Sequence, residues 1–234
     1  EWAGNHIWLA KPPLPLWMMA ASIYLFGNNE IAVRIPSFLL STVAIYLTFL
    51  IGYLLFNNKI GLLAAFLHSI HGSLIEIAGG RISSDHVETC FIFFVELSIL
   101  CSILSIKRNN IKWTVFTGIF AGAAFLSKWM PSLVIIPIWI LLMYNSKNFS
   151  SKKILSDGFI MLFFFLFIAI PWNIFALKKY PLEASLMFES FLKPLANVIQ
   201  DHSGPPWYYL KYMRINFGEI IYIPLIWFLW KIIK

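Results

Sequence analysis

Six side chains in this sequence have the chemistry of a polar site, and they fall in or beside four short stretches. Lys11 stands in Lys11-Pro12-Pro13-Leu14, and Arg81 and Asp85 bound Arg81-Ile82-Ser83-Ser84-Asp85. Lys128 lies in Ser127-Lys128-Trp129-Met130-Pro131, and His202 in Asp201-His202-Ser203-Gly204-Pro205-Pro206-Trp207, with Tyr208 directly after it. Arginine offers a planar fork that matches phosphate oxygens, and lysine supplies a compact point charge. Three such cations at one mouth fit a phosphate-bearing lipid headgroup, whereas each taken singly also reads as a snorkelling interfacial cation. Asp85 is followed by Glu88 and Glu96 at i+3 and i+11, which keeps all three on one helical face. A carboxylate facing lipid costs at least ~2.5 kcal/mol, so that face looks into protein or water. Asp85 is the functional candidate, with a solvated helix cap beside Ser83 and Ser84 as the simpler role. Glu96 reads as an interhelix hydrogen-bonding group. His202 has the chemistry of a proton shuttle or headgroup donor, in a stretch that also reads as a loop ending in an aromatic belt. His68 and His71, with Glu76 beyond them, fit helix–helix hydrogen bonding better than a metal pair.

These residues need elements that bring them together, and the composition says what those are. The chain has 234 residues, of which 59% are hydrophobic, 18% aromatic and only 12% charged. That is too little polar surface for a soluble globule of this length, so a polytopic membrane protein is expected. The apolar runs predict spans at 34–56, 60–78, 87–106, 113–126, 132–145, 158–177 and 218–234. Residues 13–26 start at a Pro-Pro pair, carry Trp17 and Tyr24 and end at Gly27, which suits a helix lying along the interface. The expected fold is all-α, a transmembrane bundle of about seven spans with an interfacial helix and outward-facing loops, in one domain over 1–234. Pro131 either separates two tilted helices or kinks one.

Counting spans puts all four polar stretches on one side. Loops carrying Lys59, Lys107, Arg108, Lys112, Lys147, Lys152 and Lys153 fall on the other, which the positive-inside rule makes cytoplasmic. The formal net charge of +7 is divided among loops and not gathered into a stripe, so nucleic acid is not an expected partner. Cys90 and Cys101 share one predicted span about 16 Å apart and cannot pair with each other. No Gly-rich phosphate loop, nucleophile elbow or H-E-x-x-H motif is present. The chain does not open on Met and stops within an apolar run, which reads as part of a longer protein.

The order of the motifs resembles the polyprenyl-phosphate-dependent membrane glycosyltransferases of the GT-C type, the group of the aminoarabinose transferases and protein O-mannosyltransferases. Glu1-Trp2-Ala3 is similar to the tail of the family's D-E-x-Y-Y-W-E-W-A segment. Lys11-Pro12-Pro13-Leu14-Pro15-Leu16-Trp17, Gly27 to Glu30 and Arg34-Ile35-Pro36-Ser37 resemble its K-P-P-L…W…G-x-x-E…R-[LI]-P-[SA] run. Asp85 stands where the family has the acid of its second outward loop, and Phe125-Leu126-Ser127-Lys128 resembles its L-[ST]-K segment. His202 with Pro205-Pro206-Trp207-Tyr208-Tyr209 is similar to its H-x-x-P-[FW]-[WF]-[YF]-Y loop. The family's first-loop Asp-Glu would precede Glu1.

The resemblance implies transfer of a sugar, with inversion, from a polyprenyl-phosphate-linked donor to a lipid (lipid A-like) or protein acceptor on the non-cytoplasmic face. It implies residence in a bacterial inner membrane with the site facing the periplasm. Lys11, Arg81 and Lys128 would bind the donor phosphate, Asp85 would act as the acid–base residue, and His202 and Tyr208 would bind substrate. The cofactor is unknown; a divalent metal is compatible, with no clear ligand set. A secondary transporter or flippase using Glu76, Glu96 and His71 is the alternative from another class, and a catalytically dead remnant of the transferase is a third.

Overall fold

The computed structural model describes residues 7, 9, 11–81, 86–146, 150–196, 207–217 and 221–233. Among them every regular element is helical. Helix α1 spans Pro13–Phe26, α2 Glu30–Leu55, α3 Asn58–Ser69, α4 Gly72–Ala78, α5 Val87–Arg108 and α6 Ile111–Lys128. A 3-10 turn over Met130–Val134 then runs into α7, Ile135–Tyr144, followed by α8 Ser151–Lys179, α9 Pro181–Ala196, α10 Tyr208–Phe217 and α11 Tyr222–Ile233.

Local chemistry explains the starts and stops. Asn29, Asn57 and Asn110 cap α2, α3 and α6, each side chain accepting a backbone N–H from the first turn, those of Ala32, Ile60 and Lys112. Asn109 adopts a left-handed conformation (φ 47) to end α5, so a two-residue turn reverses the chain into α6. Pro36 lies inside α2 and has no N–H to offer the Ala32 carbonyl one turn earlier. The Ser22 hydroxyl of α1 supplies the missing donor at 2.5 Å, so the proline that weakens one helix pins another to it.

The helices pack in a row, α3–α2–α5–α6–α8, with α1 across α2, α5 and α6 and α7 against α5. Hydroxyls join α5 to α6 in an antiparallel register. Cys90 Sγ lies 3.1 Å from Ser127 Oγ, Ser98 donates to Thr117 O at 3.0 Å, and Ser105 and Thr114 meet at 2.6 Å. In apolar surroundings a hydroxyl without a partner is costly, so these bonds specify one register. Helix α8 runs parallel to α6. A Cβ on Gly118 would stand 2.4 Å from Met161 O, and one on Gly122 would stand 2.9 Å from Phe165 O, so only glycine permits this approach. Helix α2 runs parallel to α5, joined by Ser37 to Thr89 at 3.2 Å and by Thr48 to Glu96 at 3.0 Å, the interhelix bond expected of Glu96.

These directions place Glu30, Val87, Lys128 and Lys179 at one end of the bundle, and Leu55, Arg108, Ile111 and Ser151 at the other. The Lys153 amine meets the Asn109 side chain there. Among the described residues α2, α5 and α8 are long and apolar enough to cross a membrane. Only 17% of the most apolar window of α2 and of α8 is buried against 44% for α5, so the outer two present broad lipid-compatible faces.

Three expectations change. The predicted span 60–78 is two helices bent by 60° at a break where the His71 ring caps α4, its Nδ1 accepting from Leu74 N at 3.4 Å. With that pair counted as one span, four elements among the described residues are long and apolar enough to cross a membrane, against about seven expected for the whole chain. Helix α6 falls short because it is interior, and its glycines, alanines and hydroxyls are covered by neighbours. The break near Pro131 is made at Trp129, and Pro131 sits in the first turn of the 3-10 segment, where its missing N–H costs nothing. Between the predicted spans 158–177 and 218–234 the chain forms α9 and α10.

Filling the α6–α8 approach tests this packing. Gly122→Val is expected to lower stability in detergent by about 1–3 kcal/mol or more. Gly72→Ala, whose added Cβ meets nothing within 4 Å, is expected to leave the unfolding midpoint unchanged or slightly raised. Equal midpoints for the two variants would contradict the packing.

Candidate functional site

The end of the bundle that holds Glu30, Val87, Lys128 and Lys179 is where the polar residues gather. The antiparallel hydroxyl ladder brings the last residue of α6 opposite the first turn of α5. Lys128 Nζ lies 3.0 Å from Glu88 Oε1 and 5.9 Å from the centroid of Phe91, one turn deeper. Lysine and glutamate side chains are 39% and 24% exposed, so the pair is at the rim, reachable from solvent yet backed by an aromatic face. Glu88 was read from the sequence only as a neighbour of Asp85. The short Asn109–Asn110 turn was the signal that could have found it, since a two-residue connection makes α5 and α6 adjacent and antiparallel and so sets their ends together.

Trp129 fixes where α6 stops. Its backbone has φ 52 and ψ −130, a conformation that costs a non-glycine residue about 1–3 kcal/mol and persists only when the surroundings enforce it. The enforcement is its ring, 5% exposed, packed with Leu9, Ala176, Ala184 and Met187. Phe125 and Phe188 meet it edge-on at 5.3 and 5.9 Å. The buried indole turns the chain away at the point where the Lys128 side chain must reach the rim.

The other two predicted cations share this end. Lys11, half-buried, lies two residues after Leu9, which packs in the Trp129 cluster. Arg81 follows α4, and Ser37 ties that region to α5 by donating to Ala78 O at 2.8 Å while lying 3.2 Å from Thr89 Oγ1. Arg81 is highly exposed and its guanidinium stands 3.4 Å from Glu76. His86, buried with φ 54, stands at the N-cap of α5, and a Cβ on Gly80 would come within 3.0 Å of its ring. Asp85 and His202 lie outside the described residues. Tyr208 opens α10, which the Tyr222 hydroxyl ties to α11 by donating to Leu210 O at 2.8 Å. Among the described residues no three His, Cys, Asp or Glu side chains gather as a metal cage.

Below the rim, a cleft of about 590 Å³ opens between α1, α5, α6 and α8. Its walls are almost wholly apolar, with Trp17, Phe94, Phe120, Leu126 and Trp172 prominent, and Trp17 meets Trp172 edge-on at 5.3 Å. Leu126 lines the cleft two residues before Lys128, on the opposite face of α6, so the cleft and the Lys128–Glu88 pair share the same end of the bundle but flank different sides of that helix. A cleft with such walls accommodates a hydrocarbon chain.

The Lys128–Glu88 contact is checked by a double-mutant cycle with Lys128→Met and Glu88→Gln, read from unfolding in detergent. A coupling of about 0.5–1 kcal/mol is expected for a partly exposed pair. Strictly additive single changes would mean that the two do not meet.

Comparison with known proteins bears on this arrangement. The chain is 24% identical over 230 residues to the undecaprenyl phosphate-alpha-4-amino-4-deoxy-L-arabinose arabinosyl transferase of Pseudomonas aeruginosa strain LESB58, covering 92% of this chain and 40% of that protein. It is 25% identical over 219 residues to a transferase of the same name, numbered 1, from Pseudomonas fluorescens strain Pf-5, covering 90% and 39%. The chain thus spans about two fifths of the length of these relatives. No solved structure matches it. A model of the dolichyl-phosphate-mannose-protein mannosyltransferase family matches residues 10–174, a stretch that runs from beside Lys11 through the α5–α6 pair and most of α8. With well over half of its length accounted for in this way, the chain belongs to that family.

Proposed function

We propose that the protein is a membrane glycosyltransferase that moves a sugar from a polyprenyl-phosphate-linked donor to a lipid or protein acceptor on the non-cytoplasmic face. The observation that carries this reading is that Lys11, Arg81 and Lys128 lie at one end of the bundle, the end at which an apolar cleft opens between α1, α5, α6 and α8. An isoprenoid chain would lie among Trp17, Phe94 and Trp172, with its phosphate at the end of the bundle that holds Lys11, Arg81 and Lys128. Relatives named for transfer from undecaprenyl phosphate-linked aminoarabinose support the donor class.

In the reaction, an acceptor oxygen attacks the anomeric carbon from the face opposite the phosphate. The bond from that carbon to the phosphate oxygen breaks, and its electron pair leaves with the polyprenyl phosphate. Negative charge grows on the leaving phosphate, so cations aimed at it lower the barrier more than they stabilise the bound donor. Lys128, Arg81 and Lys11 take this part. Asp85 removes or orients the acceptor proton, and His202 and Tyr208 bind substrate. Glu88 holds Lys128 until the phosphate replaces it, so an anion's position on the ammonium is already occupied at 3.0 Å by a carboxylate oxygen. The site faces the periplasm of a bacterial inner membrane in this reading.

Two experiments on the complete protein in membranes with a radiolabelled polyprenyl-phosphate sugar test the proposal. Lys128→Ala is expected to lower kcat/KM by about 10²-fold or more, with part of the loss recovered by Lys128→Arg. Asp85→Asn is expected to lower transfer by about 10²–10⁴-fold. Wild-type transfer by the Asp85 variant would remove it from the mechanism, and label that crosses the bilayer without joining an acceptor would favour a transporter.

A further inference from the structure

About 14 Å down α5 from the mouth, at 1.5 Å per residue, a second polar group lies between α2, α3 and α5. Thr48 Oγ1 is 2.7 Å from His68 Nδ1 and donates to Glu96 Oε1 at 3.0 Å. The threonine hydroxyl has one proton, and giving it to Glu96 requires that Nδ1 of His68 bring the proton for the shorter contact. A neutral His68 then offers a lone pair at Nε2. Glu96 Oε2 is buried and meets no donor among the described residues. The group therefore has two acceptor atoms beyond those its own bonds use.

Thr48, His68 and Glu96 stand in the wall of a cavity of about 700 Å³, whose other walls include Leu67, Leu74 and Pro224. That volume lies within the roughly 300–1,000 Å³ of small-molecule sites, which combine apolar walls with a few placed polar groups. It opens at the 60° break between α3 and α4. Interrupted helices beside an intramembrane acid are where membrane proteins bind polar groups at depth. Nothing in the proposed transfer uses this cavity, which is separated from Lys128 by more than two turns of α5.

We propose that the cavity is a second binding site, for an amphiphile with an apolar body and a hydrogen-bond-donating head, an alcohol or a protonated amine. A protonated amine donates to both Glu96 and His68 and an alcohol, with its single proton, to one of them, while the hydrocarbon body lies against Leu67, Leu74 and Pro224. An anionic head would meet the Glu96 carboxyl and is expected to bind less well, although the His71 ring, whose Nδ1 accepts from Leu74 N, also lines the cavity.

The test uses the complete protein in nanodiscs and dodecyl probes carrying a diazirine and ending in an alcohol, an amine or a carboxylate, with labelled peptides mapped by mass spectrometry. The alcohol or the amine is expected to label the peptide containing Leu67 and Leu74 about tenfold more than the carboxylate. Labelling should be competed by unmodified dodecanol or dodecylamine. Leu74→Trp, which fills the cavity and leaves the polar group intact, and Glu96→Leu are each expected to cut labelling about tenfold, while Lys128→Ala leaves it unchanged. Labelling by the amine alone identifies a cationic head and by the alcohol alone a neutral one, and both uphold the site. Equal labelling by all three probes, no label at this peptide, or full labelling of Leu74→Trp in protein that elutes as a single folded species overturns it. Because the readout is not sugar transfer, it stands or falls separately from the transferase reading.

Discussion

Hydroxyl groups surrounded by hydrocarbon must find partners in the protein, and that requirement organises this bundle. Along α5 and α6 each buried hydroxyl is answered by an atom on the facing helix, from Cys90 with Ser127 at one end to Ser105 with Thr114 at the other. Sliding one helix by a turn would strand these groups with no water to take them. The register that follows puts Lys128 opposite Glu88, and the parallel alignment of α2 extends it through Ser37 and Thr48. Helix α8 joins by a different rule, close backbone approach at Gly118 and Gly122.

At the mouth the structure holds unfavourable features together. Trp129 keeps a strained backbone, and His86 keeps a left-handed one, each because its ring is buried. In return the ends of α5 and α6 are placed with little freedom, which is what a site binding a mobile lipid headgroup needs. The Lys128–Glu88 pair adds little stability at its level of exposure. Its value is chemical: an ammonium held at a rim, over an aromatic face, at the end of the bundle where the apolar cleft opens.

The polar groups thus sort by depth. Those at the rim are ionic and accessible, as suits a charged headgroup arriving from water. Those midway down α5 form hydrogen bonds through Thr48 and are largely buried in the wall of an open cavity, as suits a neutral or singly charged group that arrives through the membrane. The break at His71 separates α3 from α4, and the cavity lies against it. One row of helices therefore carries two chemically different recesses, one against α1, α5, α6 and α8 and the other against α2, α3 and α5.

Composition and the length of the apolar runs determined the fold class, because a chain with so few charges cannot cover itself with polar surface. Parity of the runs determined that Lys11, Arg81 and Lys128 share one end, and the asparagine caps and the Pro-Pro start were local enough to be read directly. What the sequence could not decide was contact between segments distant in the chain. Glu88 as the partner of Lys128, Ser22 as the donor for the carbonyl freed by Pro36, and the meeting of Thr48, His68 and Glu96 each depend on which helix faces which. The break at His71 was missed because hydropathy averages over a window and does not register one capping ring. Periodicity gives a residue's face but not the neighbour that covers it, and only tertiary packing, through close glycine contacts and the matching of buried hydroxyls, made that choice.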